Sequence, residues 1–242
     1  STRIEKGGHK HYMAKEIAEQ PVVIADALKH YVGQDGALRL PAALDFRAVD
    51  RVTMVACGTA SFACHVARYW FEQIAGLAAE IDIASEFRYR DPVLSPASMA
   101  IFVSQSGETA DTLAALRYAR DKVATVVSVV NVPTSSIARE SDLSLPILAG
   151  VEVGVASTKA FTCQLTVLAL LAIKAAVDRG RLDAAGLAAH LSALRNLPGL
   201  KKKPSTSEAL DWIRLLVAED VDPADLRGEA KNALPKLHGV SW

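Results

Sequence analysis

From Val52 onward the chain alternates short apolar runs with longer stretches in which apolar residues recur at helical spacing. VTMVA (52–56), EIDIA (80–84), MAIFV (99–103), TVVSVV (125–130) and LSLPI (143–147) read as strands. Helices are predicted from about Ser61 to Ala75 and, after MAIFV, as far as about Arg120. Runs that are apolar on both faces and separated by helices mark a parallel sheet covered on both sides. The pattern therefore predicts an α/β fold with a doubly wound, flavodoxin-like sheet of five parallel strands.

On either side of that block the period is helical. His11 to Gly33 reads as a helix with Met13, Ile17 and Ala18 on one face, until Pro21 interrupts or restarts it. A long helix is predicted from about Thr158 to Asp178, followed by a polar turn at Arg179-Gly180-Arg181 and a shorter helix. Composition then shifts at Leu197-Pro198-Gly199-Leu200-Lys201-Lys202-Lys203-Pro204, which has the content of a linker. Beyond it, Glu208, Leu210, Trp212, Ile213, Leu215 and Leu216 suggest a short amphipathic helix. The expected organisation is an N-terminal helical segment over 1–45, the α/β domain over 46–197, and a linker with a helical tail over 198–242.

Composition narrows the function classes. The 242 residues are 50% hydrophobic and 22% charged, enough to bury a full core. Lys+Arg and Asp+Glu are 27 each, so no net field favours nucleic acid or an anionic membrane, and an anion must be held by local geometry. Cys57, Cys64 and Cys163 lack metal-ligand spacing and suit buried free thiols in a reducing cytoplasm. His9, His11 and His65 form no metal-binding constellation, and no metal or cofactor is expected. The most apolar tract, Leu165 to Val177, is shorter than the roughly 20 residues of a membrane span and contains Lys174, so it reads as a core or interface helix.

In open α/β sheets ligands gather at the carboxyl ends of the strands, where helix N-termini offer unpaired N–H groups. Three stretches are placed to do so: Cys57-Gly58-Thr59-Ala60-Ser61, SQSGETADT (104–112), and Gly154-Val155-Ala156-Ser157-Thr158-Lys159. In the second, Ser106 reads as the N-cap and Gly107 as the point where backbone comes close to a ligand. Ser104, Thr109 and Thr112 are then surplus to capping. Neutral hydroxyls and N–H groups without Arg or Lys suit a phosphate monoester, although spacing alone leaves ordinary capping with exposed threonines equally open. GxGxxG and GxxxxGK[ST] are both absent, which disfavours dinucleotide and nucleoside triphosphate sites. Lys159, in the first turn of its helix, is either paired, with Glu152 a candidate, or aimed at a ligand anion, and pairing is favoured; Ser85 to Arg90 reads as a solvated loop in preference to a rim of the pocket.

"HYMAKEIAEQP", "ACGTA", "ARYWFE", "IASEFRYR", "SQSGETADTLAALR", "NVPTSSIARESD" and "VGVASTKAFTCQLTVL", in this order, resemble the isomerase part of the glutamine:fructose-6-phosphate aminotransferase (glucosamine-6-phosphate synthase) family. The resemblance covers about residues 5 to 197 and corresponds to the first of that family's two sugar isomerase (SIS) domains. It implies a pocket for fructose 6-phosphate or glucosamine 6-phosphate. Ser104, Gln105, Ser106 and Thr109 match the family's phosphate loop, Thr59 matches its CGT turn, and Val155, Ala156 and Ser157 match the segment that contacts the sugar. Ala60 stands where many members carry serine, so that hydroxyl contact is not expected here.

The family's catalytic glutamate and lysine and its ring-opening histidine lie in its second SIS domain, and a further lysine in its C-terminal tail. Motifs for these do not occur here, nor does the glutaminase domain. No catalytic residue is therefore assigned, and the chain is expected to bind sugar phosphate with little or no turnover. The alternatives are a non-catalytic sugar-phosphate-binding module and a dimerisation scaffold, the latter supported by the apolar helix Phe161 to Val177; the family's precedent implies a homodimer. The segment "KKKPSTSEALDWIRLLVAEDVDPADL" with "ALPKLHG" resembles the C-terminal end of a MoxR-type AAA+ ATPase, without any Walker motif.

Overall fold

The computed structural model describes residues 5–196; the linker and tail expected after Leu197 lie outside them. The elements are α1 (Tyr12–Tyr31), β1 (Arg51–Ala56), α2 (Thr59–Gln73), β2 (Ala78–Ile83), α3 (Ala84–Arg90), β3 (Met99–Ser104), α4 (Ala110–Ala119), β4 (Thr125–Val130), α5 (Ser136–Glu140), β5 (Leu143–Pro146), α6 (Lys159–Asp178) and α7 (Ala184–Arg195). The five strands are parallel throughout and ordered β2-β1-β3-β4-β5. This is the doubly wound, flavodoxin-like α/β sheet that the apolar runs predict.

Alternation along the strands divides the core in two. Val52, Met54 and Ala56 of β1 and Met99, Ile101 and Val103 of β3 face α1, α2 and α6. Val55, Ala100 and Phe102 face the other way, onto Ala84 and Phe87 of α3 and Ala115, Leu116 and Ala119 of α4. Both sets are buried, which is why these strands carry no polar face.

The helices depart from the sequence reading in two places. Pro21 neither ends nor restarts α1, which runs unbroken through it. Proline lacks the N–H that would reach the carbonyl of Ile17, and the Gln20 side chain fills the vacancy: its Nε2 donates to Ile17 O at 3.2 Å. Residues 85–90, expected as a loop, belong to α3, because Ala84 and Phe87 at one-turn spacing are buried against the sheet.

For α6 the reading as a core helix holds. As a whole helix it is 20 residues long with a mean hydropathy of 1.9 over its most apolar window, so length and composition alone would let it cross a membrane. It instead lies inside the protein, with 83% of that window buried under α1, α2 and the sheet. A helix apolar on all sides belongs at the centre of a fold. The surface offered in sequence as a dimerisation face is thus consumed by the protein's own core.

Candidate functional site

The sheet order places the topological switch between β1 and β3: the chain leaves β1 toward β2 on one side, and β3 pairs on the other. Loops after adjacent strands that diverge in this way leave a crevice at their carboxyl ends. Here a cleft of about 220 Å³ opens at that point. Thr59, Ser104, Gln105, Ser106, Thr109 and Ser157 all line it, so six of the eight residues singled out in the sequence converge. Val155 and Ala156 do not; they stand exposed on the loop before α6. Cys57, Ala60, Thr112 and Gln164 complete much of the wall, and among the described residues no charged side chain lines the cleft.

The loop after β3 is held by its own hydroxyls. Ser104 Oγ accepts from Gly107 N at 3.1 Å and pairs with Thr109 Oγ1 at 3.1 Å, while Ser106 Oγ accepts from Glu108 N at 3.2 Å. Ser106 is therefore not the N-cap of α4. The helix begins three residues later, with Thr109 in the cap position, and the Thr109 side chain makes no capping bond. Gly107 has φ 67°, and its missing side chain accommodates Ser135 rather than only a ligand. Gly58, at the cap of α2, has φ 56° and likewise no side-chain cap. Two helices of 15 and 10 residues thus start at the cleft with first-turn N–H groups that no side chain caps.

The start of α6 is different. Glu152 Oε1 accepts from Thr158 N at 2.9 Å and Ala160 N at 3.1 Å, and Oε2 accepts from Ser157 Oγ at 3.2 Å. A carboxylate already answers that helix's N–H groups and dipole. Glu152 therefore is not the partner of Lys159, as the sequence had suggested. Lys159 reaches back to α1 and pairs with Glu19 at 2.8 Å. Burial pushes the Glu19 carboxyl up, but the bond and charge of Lys159, with Lys15 beside it, outweigh burial and hold it below the ordinary value. Glu16, buried on the same helix, accepts from Val153 N at 2.6 Å and Gly154 N at 3.2 Å. Residues 152–159 are thus fixed from beneath by α1.

Glu108 shows the same logic across the cleft. Its Oε1 accepts the N–H of Ser136 at 2.8 Å, at the start of α5. The Ser136 backbone bond, then its hydroxyl and the charge of Arg139, draw the carboxyl below its ordinary value. A depressed carboxyl supports the fold above the unfolded value of about 4.3, and that support fades as pH falls through the lower folded value. We expect a pH titration followed on the side-chain carboxyl carbon by NMR to place the Glu108 midpoint below about 4.3; a midpoint at or above it would contradict the contact.

The cysteines divide. Burial pushes the Cys64 and Cys163 thiols up to about 12, as suits inert core residues. Cys57, expected to be buried too, is half-exposed and lines the cleft, with Thr112 Oγ1 4.0 Å from its sulfur. Gln164 carries no signal in sequence, because it sits in an apolar run that reads as core.

Relatives carry the same region. An aminotransferase of Bradyrhizobium diazoefficiens named glutamine–fructose-6-phosphate aminotransferase (isomerizing) is 56% identical over 183 residues, 74% of this chain and 30% of its own length. The protein of that name from Brucella abortus is 58% identical over 182 residues, again 74% of this chain and 30% of its own. The chain thus spans about a third of the length of these curated relatives. Among solved structures, the C-terminal domain of glucosamine-fructose-6-phosphate aminotransferase from Francisella tularensis superposes with a TM-score of 0.76 at 42% identity, covering 80% of this chain and 55% of that one. The profile of the SIS domain matches residues 45–174, which holds all five strands, both uncapped helix starts and the loop between β3 and α4. More than half of the sequence and the whole cleft therefore fall within one family's pattern, and the chain belongs to the SIS domain family.

Proposed function

We propose that this chain is a sugar-phosphate-binding SIS module, the counterpart of the first SIS domain in the isomerase part of glucosamine-6-phosphate synthase, and that its ligand is fructose 6-phosphate or glucosamine 6-phosphate. One observation carries the reading: the uncapped starts of α2 and α4 and the hydroxyls of Ser104, Ser106 and Thr109 meet in a cleft that, among the described residues, no charged side chain lines. Directed N–H and O–H donors at helix N-termini hold a phosphate monoester without a counter-charge. In this reading Ser104, Gln105, Ser106 and Thr109 hold the phosphate, while Thr59 and Ser157 reach the sugar. Val155 and Ala156 contribute only through the loop's backbone.

The chain binds but does not turn over in this reading. Amination and ketose–aldose isomerisation need a general base beside the reacting carbon. Among the described residues no carboxylate lines the cleft, and the two nearest in sequence are engaged elsewhere: Glu108 on α5 and Glu152 on α6. Catalysis, in amino-sugar biosynthesis, would come from a second SIS domain. The proposal includes a cytoplasmic location and a homodimer, both implied by the family resemblance, the dimer using a surface other than α6.

The test is isothermal titration with fructose 6-phosphate and glucosamine 6-phosphate, of the chain and of a Ser106→Ala, Thr109→Ala double variant, with product assayed in the same samples. We expect the variant to bind about 30-fold more weakly, which corresponds to roughly 2 kcal/mol from two hydroxyls on a charged ligand, and neither sample to form product. A parent chain that binds neither ester would remove the reading.

A further inference from the structure

Sixteen residues of α6 are buried, and one of them is chemically out of place. Gln164 is 2% exposed, its Oε1 has no hydrogen-bond partner, and it lines the cleft. Its polar neighbours on the same helix are satisfied within it: Thr162 Oγ1 donates to Lys159 O at 3.0 Å, and Thr166 Oγ1 to Thr162 O at 2.9 Å. Cys163, Leu165 and Leu168 around it are apolar and buried. A methionine or leucine would suit this core, whereas an orphaned amide oxygen destabilises the empty protein.

The unpartnered atom also indicates what it would meet. An amide oxygen accepts a hydrogen bond and has no proton to give, so it repels the oxygens of a phosphate and suits a hydroxyl. The carboxamide as a whole both donates and accepts, as a polyol does. The phosphate donors belong to the β3–α4 loop, whereas Gln164 enters the same cleft from α6, a different element.

We propose that Gln164 is a specificity-determining residue that hydrogen-bonds the sugar portion of the ligand, so that the cleft prefers a hexose phosphate to a shorter phosphate ester. The assignment rests on the sugar-phosphate reading of the cleft. It also gives the buried amide the partner that the empty protein does not supply.

The experiment compares the chain with Gln164→Met and Gln164→Leu, titrating each with fructose 6-phosphate and with glycerol 3-phosphate, and melting each without ligand. The expected result is an affinity for fructose 6-phosphate lowered about tenfold or more, with that for glycerol 3-phosphate changed by less than about twofold. The unliganded variants should melt higher than the parent, by roughly 2–4 °C, because the orphaned oxygen is gone. Equal losses for both esters, unchanged binding of fructose 6-phosphate, or variants that melt well below the parent would each overturn the assignment while leaving the cleft's phosphate reading intact. A parent chain that binds neither ester removes both together.

Discussion

Replacing Gly107 by alanine is expected to cost about 3 kcal/mol of folding stability and to lower the melting temperature by roughly 6–12 °C. Two effects add. The backbone at Gly107 has φ 67°, a left-handed conformation that costs a side-chain-bearing residue roughly 1 kcal/mol. A Cβ there would lie 2.0 Å from Ser135 Oγ and 2.5 Å from Ser135 Cβ. Rotating the hydroxyl relieves the first contact but not the second. Ser135 cannot retreat easily, because it is buried, caps α5 by accepting from Ala138 N, and follows a strand whose partners are fixed. Gly107 O also accepts from Ile137 N at 3.0 Å, which ties the loop to the first turn of α5. Circular dichroism melting checks the stability, and a Ser135→Gly change in the same background should recover the steric part while leaving the dihedral part. A Gly107→Ala chain that melts within about 2 °C of the parent would show that this loop yields, contrary to its bonding.

Glu16→Ala is expected to cost about 3 kcal/mol, for a different reason. The carboxylate is buried and accepts the N–H groups of Val153 and Gly154; truncation strands both donors and leaves a hole where Oε2 had approached Gly154. Bonds to a charged acceptor contribute roughly 1.5–3 kcal/mol each when a partner is removed, although relaxation of the loop lets water recover part of that. Glu16→Gln should lose less, since an amide oxygen still accepts one N–H. Urea unfolding gives the magnitude, and hydrogen exchange locates it: the Val153 and Gly154 amides should exchange faster while those of β3 are unchanged. Unaltered exchange at those two amides would mean that Glu16 does not hold the loop. Because Ser157 enters the cleft from the same segment, sugar-phosphate affinity should fall as well.

These residues mark the boundary of what the sequence made legible. The sheet was readable because a strand buried on both faces must be apolar at every position, as Met99 to Val103 is, and few other elements impose that pattern. The phosphate-loop candidates were readable because hydroxyls and glycine crowd one strand end. The start of α4 was not: Ser104, Ser106 and Thr109 are all able to cap, and the first two are instead engaged within a loop that is tied to α5 by Glu108 and Gly107. Lys159 was paired in sequence with the nearest carboxylate, whereas the fold offered Glu19, 140 residues away, and gave Glu152 to the helix N-terminus. Gln164 was invisible because one amide in a run of leucines and alanines changes no periodicity; its oddness exists only once burial is known.

The bonds from Glu16 and Glu19 bear on where this domain ends. The match to the SIS profile begins at residue 45, yet the loop that carries Ser157 rests on side chains at 16 and 19, and Ile24, Leu28 and Tyr31 belong to the same core as the sheet. The profile therefore spans less than the packed unit, which includes α1. A fragment cut at residue 45 would carry every cleft residue and still lack the support beneath one wall. A cleft moved intact into another chain has to bring α1 with it, since the carboxylates of that helix hold the wall from which Ser157 reaches the cleft.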